Sequence, residues 1–310
     1  MRKAVLIPCY NEAGTIAKVV GDFRAALPDA TIYVYDNNST DDTTDRAREA
    51  GALVGRETQQ GKGHVVRRMF RDIDADVFVL VDGDATYDAA SAAALIAELT
   101  DGGADMVVGA RVGQQAAYRR GHQFGNRTLT GFVAAVFGKK LRDMLSGYRV
   151  LSRRFVKSFP ALSTGFEIET ELTVHALELD LPIAEIDTPY YARPAGSLSK
   201  LNTWGDGVRI LLTILRLYRS ERPLAFFGLV GLLLAAASLV LAVPVFVTYL
   251  ETGLVPRLPT AVLSTGLMIL AFLSSAIGLV LDTVSRGRRE MKLLAYLAQE
   301  PLKRTHGSTG

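Results

Sequence analysis

The chain has 310 residues, room for one large domain or two small ones, and a formal net charge of only +3, which excludes the strongly basic footprint of a nucleic-acid-binding protein. A single cysteine, Cys9, excludes an internal disulfide, and His64, His122, His175 and His306 lack zinc-ligand spacing. The 49% hydrophobic content is concentrated near the C-terminus, where 224–250 and 260–281 carry no charged residue.

From the N-terminus, the apolar run after Arg2-Lys3 reaches only Ala4 to Pro8 before Asn11-Glu12, so it predicts a first strand rather than a signal peptide. A helix follows over Ala13 to Ala26, a strand over Ile32 to Tyr35, and a helix after Asp41. Val77-Phe78-Val79-Leu80-Val81 is a buried-strand pattern, an Ala-rich helix covers Ala89 to Leu99, and Met106 to Val108 is another strand. This alternation predicts a largely parallel α/β sheet with helices on both faces and ligands at the carboxyl ends of its strands. Three polar clusters fall at those ends: Cys9 to Glu12, Asp36 to Asp41, and Asp82 with Asp84.

Asp82-Gly83-Asp84 is the most telling of these. An uncharged strand that delivers two carboxylates one residue apart needs a cation or a hydrogen-bond network to meet them. Magnesium or manganese suits such oxygen ligands and keeps positions open for a substrate diphosphate. The alternative, with Asp82 capping a turn at Gly83 and Asp84 opening a helix near Tyr87, stays open on these residues alone. No Gly-x-x-x-x-Gly-Lys-Ser/Thr loop and no Gly-x-Ser-x-Gly elbow occurs, which disfavours P-loop nucleotidases and serine hydrolases.

Beyond Arg111 the chain turns more helical, with helices expected over Phe124 to Phe137 and Phe166 to Leu179 around a polar segment from Asp143 to Arg149. Ile183 to Ala192 has strand character, and Arg193 to Lys200 has the composition of a phosphate-covering flap or of a solvated linker. Val208, Leu211, Leu212 and Leu215 share one helical face opposite Arg209, Arg216 and Ser220, an amphipathic pattern that suits the membrane interface with Trp204 at its start. The two charge-free runs follow. At about 1.5 Å per residue even the shorter spans roughly 33 Å, enough for a hydrocarbon core of about 30 Å. Their nine-residue connection makes them an antiparallel hairpin, and the Arg and Lys residues outside it (Arg209 to Arg222, Arg286 to Lys292) place both termini on the cytoplasmic side of an inner or plasma membrane. Pro244 is a potential kink.

Taken in order, Pro8-Cys9-Tyr10-Asn11-Glu12, Asp36 to Asp41, Asp82-Gly83-Asp84, Gly109-Ala110-Arg111, Asp143 with Ser146-Gly147-Tyr148-Arg149, and Arg193 to Lys200 resemble the motif series of glycosyltransferase family 2, and within it the dolichol- and undecaprenyl-phosphate glycosyltransferases. The resemblance implies a GT-A, Rossmann-like α/β catalytic domain over 1–203, followed by an interfacial helix over 204–222, a two-helix transmembrane hairpin within 223–283 and a C-terminal tail over 284–310. It implies an inverting transfer from a nucleoside-diphosphate sugar to a membrane polyprenyl phosphate, with UDP-sugars favoured as donors and GDP-mannose next. Magnesium or manganese would sit at Asp82 and Asp84. Pro8, Tyr10, Asn11, Glu12, Asp36, Lys62, Arg193 and Lys200 would join Asp82 in holding the donor, and Asp143 resembles the candidate general base. Because a lipid monophosphate has a second pKa of about 6 and is already ionised, an orienting role for Asp143 is preferred to base catalysis. Arg111, Arg127 and Arg149 are the fixed charges available to grip the acceptor phosphate. Related enzymes suggest a homo-oligomer, a tetramer.

The pattern departs from dolichol-phosphate mannose synthase at Thr86-Tyr87, where that group tends to carry Gln-His, so the resemblance does not extend to a third protein ligand to the metal. Glu167, Glu169 and Glu171 match an acidic segment near the donor sugar, or are ordinary charge at a helix start. A processive synthase would add a Gln-x-x-Arg-Trp segment, absent around Trp204, the sole tryptophan. A family 2 transferase with another glycan or lipid acceptor, and a non-enzymatic nucleotide-sugar scaffold, remain the competing readings.

Overall fold

The computed structural model describes residues 1–112, 131, 141–165, 167–193, 215–216 and 218–302. They fall into two compact units: Met1–Gly207 together with Met291–Gly310, and Val208–Glu290. The expected helix over 124–137, the flap beyond Arg193 and most of the amphipathic segment lie outside the described residues.

The first unit is built on a seven-stranded sheet. Its strands are β1 (Lys3–Cys9), β2 (Ala30–Asp36), β3 (Leu53–Arg56), β4 (Val77–Leu80), β5 (Met106–Val112), β6 (Arg149–Ser152) and β7 (Ile183–Pro189), in the order β3-β2-β1-β4-β6-β5-β7. All pairings are parallel except those of β6, which runs antiparallel to both β4 and β5. Interspersed are α1 (Ile16–Ala26), α2 (Thr43–Glu49), α3 (Lys62–Asp72), α4 (Ala92–Thr100), α5 (Arg153–Ser158) and α6 (Ile168–Glu178).

Period-two alternation divides the core. Along β1, Val5 and Ile7 pack with α1 and α4 residues on one face, while Ala4 and Leu6 pack with α3, α5 and α6 residues on the other. Because both faces are covered, β4 is buried at every position, which explains its unbroken apolar run. α1 presents Ile16, Val19, Val20 and Phe23, the i, i+3, i+4, i+7 stripe of a sheet-packed helix. Each such side chain contributes about 1.5–3 kcal/mol of burial. The chain extends from β1 to β2 and β3 on one side and returns to β4 on the other, so the crevice at the carboxyl ends of β1 and β4 is a topological switch point.

In the second unit, α7 (Pro223–Thr252) ends at Gly253, whose φ of 68° suits a left-handed cap donating to the Tyr249 carbonyl, and α8 begins at Leu258. Small residues line the contact between them. A Cβ on Gly231 would stand 2.9 Å from the Ala271 carbonyl oxygen, and Ser238 and Ser274 donate to the carbonyls of Ser264 and Phe227 at 2.7 and 2.9 Å. Leu232, Leu233, Phe246 and Phe272 face outward. Both helices are long and apolar enough to cross a membrane. Pro244 does not interrupt α7.

α8 runs on to Leu297, sixteen residues past the end of its charge-free stretch, because the Arg- and Lys-rich segment that ends the apolar run still favours helix. Its last turns belong to the first unit, where the buried Tyr296 hydroxyl donates to Asp105 Oδ2 at 2.7 Å, Arg154 stacks 4.1 Å over the Tyr296 ring, and Lys292 pairs with Glu178 at 2.6 Å.

Candidate active site

A cleft of about 310 Å³ opens at the switch point, lined by Pro8, Tyr10 and Glu12 after β1, Asn37 after β2, Lys62 at the start of α3, Asp82 and Asp84 after β4, and Arg193 after β7. Of the nine described donor and metal residues anticipated from sequence, seven (Pro8, Tyr10, Glu12, Lys62, Asp82, Asp84 and Arg193) line the cleft, and Asn11 and Asp36 build its wall. Asn11, at φ 52°, donates its backbone N–H to Ser39 Oγ and accepts the Thr40 N–H on its side-chain oxygen, both at 2.8 Å. The buried Asp36 carboxylate accepts the Ser39 N–H at 3.1 Å. Asn37, which sequence reasoning did not single out from its motif, clamps the facing loop: its Nδ2 donates to the Glu57 and Gln59 carbonyls and its Oδ1 accepts the Gly61 N–H.

Two cations of the chain meet the two aspartates. The Lys62 ammonium bridges Asp82 Oδ1 and Glu169 Oε1. Burial alone would lower the Lys62 pKa, but the two carboxylates outweigh it and hold the amine well above the ordinary lysine value. Glu169 is supplied by α6, a helix buried on all sides. Arg193 meets Asp84 Oδ2 through Nε at 2.9 Å and Nη2 at 2.7 Å, while Asp84 Oδ1 accepts from the Thr86 hydroxyl at 2.6 Å and the Thr86 N–H at 3.2 Å. Ala85 lies between them at φ 58°, a left-handed conformation for a residue with a Cβ, and the resulting bend is what brings Thr86 back onto Asp84.

The donor set fits a hard divalent cation. Asp82 and Asp84 offer oxygen only, both line the cleft, and Asp82 Oδ2 accepts no hydrogen bond among the described residues. No group of three or more His, Cys, Asp or Glu able to hold a metal occurs among the described residues, so water and substrate phosphate would complete the coordination, as magnesium and manganese favour.

At the far end of β5, Arg111 grips Asp143 in a bidentate pair, Nε to Oδ2 at 2.6 Å and Nη2 to Oδ1 at 2.7 Å, above the Tyr190 ring at 5.5 Å. Glu185 accepts the backbone N–H groups of Arg142 and Asp143 and so fixes that turn. Arg149 requires a correction. It is fully buried, donating to the Ser146 and Met144 carbonyls at 3.1 and 2.6 Å and to Thr173 Oγ1 at 2.9 Å, and burial, opposed by Glu169 and Asp143, pulls its pKa down to about 10. Among the described residues its guanidinium is engaged by these core partners and does not line the cleft. Arg127 and Lys200 lie outside the described residues.

Comparison with known proteins places this geometry. A sequence model described as Glycosyl transferase family 2 matches residues 4–159. Glycosyltransferase AglJ of Haloferax volcanii is 38% identical over 241 residues, covering 77% of this chain and 79% of that protein. A dolichyl-phosphate hexose transferase of the same organism is 28% identical over 221 residues, covering 71% of this chain and 95% of that protein. Among solved structures, glucosyl-3-phosphoglycerate synthase from Mycobacterium tuberculosis in complex with Mn2+, UDP-glucose and phosphoglyceric acid superposes with a TM-score of 0.57 at 26% identity, covering 69% of this chain and 79% of that one.

Proposed function

Because the chain belongs to glycosyl transferase family 2 and is a sugar-transferring enzyme, we propose that it moves a hexose from a nucleoside-diphosphate sugar, a UDP-sugar first and GDP-mannose next, to a polyprenyl phosphate in the bilayer. The observation that carries this reading is the pairing of two aspartates with two cations, Lys62 and Arg193, in a cleft at the switch point of a chain that also bears an apolar hairpin. The name of the dolichyl-phosphate hexose transferase supports the acceptor, and the Mn2+ and UDP-glucose of the solved neighbour support the donor and the metal.

In this scheme an ionised phosphate oxygen of the acceptor attacks the anomeric carbon from the face opposite the leaving group. The bond from that carbon to the diphosphate oxygen breaks, the electron pair departs with the nucleoside diphosphate, and configuration inverts. Asp82 and Asp84 would hold a magnesium or manganese ion, which would supply Lewis-acid stabilisation of the departing diphosphate, an effect worth several kcal/mol. Pro8, Tyr10, Glu12 and Asn37 form the donor wall, and Arg193, once released from Asp84, adds positive charge to the leaving group. No proton has to leave the acceptor at neutral pH, so Asp143 serves to hold Arg111 in orientation, and Arg111, with Arg127, neutralises the incoming phosphate. The hairpin keeps both termini cytoplasmic, and packing of several hairpins gives a homo-oligomer.

Purified full-length protein in nanodiscs, supplied with manganese, labelled sugar nucleotides and undecaprenyl phosphate, is expected to yield label in the organic phase. Label released only as free sugar, or none, rejects the acceptor.

A further inference from the structure

Asp82 has two different sides. Its Oδ1 meets Lys62, whereas Oδ2 is turned toward the backbone of Gly147, where an added Cβ would stand 2.4 Å from Oδ2 and 3.0 Å from Cγ. The φ of Gly147 is not positive, so the backbone itself would accept alanine and the demand for glycine there is purely one of space beside the carboxylate. What holds that backbone in place is Tyr87: its buried hydroxyl accepts the Gly147 N–H at 2.8 Å.

Tyr87 is itself wedged. Its ring packs against Tyr148 at 5.5 Å and edge-on against Tyr190 at 5.3 Å, it bridges to Tyr190 through the backbone, and the neighbouring Thr86 carbonyl accepts the Tyr191 N–H at 2.9 Å. Tyr190 in turn lies under Arg111. On the other side, Ser146 donates to the Gly109 carbonyl at 2.6 Å and Gly109 donates to the Tyr148 carbonyl at 2.9 Å, which ties the Gly147 turn to β5. A residue three positions after Asp84 thus reaches back to set the wall behind Asp82 and forward to seat the ring beneath Arg111.

We propose that Tyr87 and Gly147 form a positioning pair for the metal-binding carboxylate: the Tyr87 hydroxyl fixes the Gly147 amide, and the bare Gly147 backbone leaves Asp82 Oδ2 open to the cation while barring the carboxylate from rotating away. This rests on the reading of Asp82 as a metal ligand, and Tyr87 acts through Gly147 without touching substrate. The hydroxyl is the decisive atom, since phenylalanine preserves the ring contacts with Tyr148 and Tyr190.

Manganese affinity of the nucleotide-free full-length protein, read by the loss of free Mn2+ signal in electron paramagnetic resonance, tests the pair. Tyr87→Phe is expected to weaken binding about fivefold, the worth of one net hydrogen bond, and Gly147→Ala more strongly, with the thermal midpoint of Tyr87→Phe lowered by only about 2–4 °C. Asp82→Asn provides the reference and is expected to abolish the tight site. If Asp82→Asn loses Mn2+ while Tyr87→Phe binds it as wild type does, the positioning role is overturned and the metal reading stands. If Asp82→Asn binds Mn2+ normally, the metal reading itself falls. Should Gly147→Ala fail to fold, the Tyr87→Phe comparison decides alone.

Discussion

Arg193→Ala is expected to tighten manganese binding to the nucleotide-free protein about tenfold. In the structure Asp84 Oδ2 is held by two nitrogens of Arg193, so a cation can use that oxygen only when the guanidinium is elsewhere. A charge-assisted hydrogen bond is worth about 1.5–3 kcal/mol when buried. The Asp84 side chain is 6% exposed but that of Arg193 is 36% exposed, and solvent screening reduces the pair to about 1–1.5 kcal/mol. Asp84 is then free for about a tenth of the time, and the apparent metal affinity is lowered by the same factor, 1.4 kcal/mol being tenfold. Calorimetric titration of Mn2+ into detergent-solubilised wild type and variant measures the difference. The same variant is expected to bind UDP-sugar more weakly, because the released guanidinium is then missing from the diphosphate. Unchanged or weaker Mn2+ affinity in Arg193→Ala would refute the competition.

Three further outcomes follow from the same geometry. Lys62→Met strands Asp82 opposite Glu169 without their shared cation; removing one member of a buried pair costs about 3–5 kcal/mol and should lower the thermal midpoint by about 6–20 °C, so a loss of under about 2 °C would contradict the bridge. Arg111→Ala should raise KM for the lipid phosphate far more than KM for the sugar nucleotide, and the reverse pattern would move Arg111 out of the acceptor site. His175 is buried between Phe155 and Phe159, with its pKa pushed down to about 3 by burial and by nearby Lys292. Since its folded pKa lies below the unfolded value near 6.5, its contribution to stability is complete above pH 6.5 and is lost progressively as pH falls toward 3, about 2–3 kcal/mol by pH 4.5. His175→Gln should flatten the melting profile between pH 6.5 and 4.5, and parallel profiles would dismiss the role.

The parts of this protein legible in its sequence are those where one physical term dominates locally. Doubly covered strands β1 and β4 are unbroken apolar runs, and each charge-free stretch announces a helix long and apolar enough to cross a membrane. β6 escaped because four residues opening with an arginine carry no strand signal, and the burial of Arg149 is decided by two carbonyls of the turn just before it together with a threonine of α6, 24 residues on. The Lys62 bridge was equally hidden: its two carboxylates lie 20 and 107 residues away, and no window of sequence contains them. Asn11 and Asp36 were recognised as residues of the site but not as its masonry, because a carboxylate that caps a turn and one that meets a ligand have the same spelling. The end of the second apolar run marks where lipid-compatible residues stop, whereas α8 continues because backbone propensity is indifferent to that boundary.

Asp84 and Arg193 are separated by 109 residues, which sets an order of events during synthesis. At about 5–20 residues per second, some 5–20 s elapse between the emergence of the aspartates and that of the arginine that neutralises one of them. The last three strands and the helix that carries Glu169 emerge within that interval, and closure over Asp84 must wait for the ribosome to pass residue 193. The two long apolar helices are translated next, and because the end of α8 belongs to the first unit, that unit is completed only after both of them have emerged.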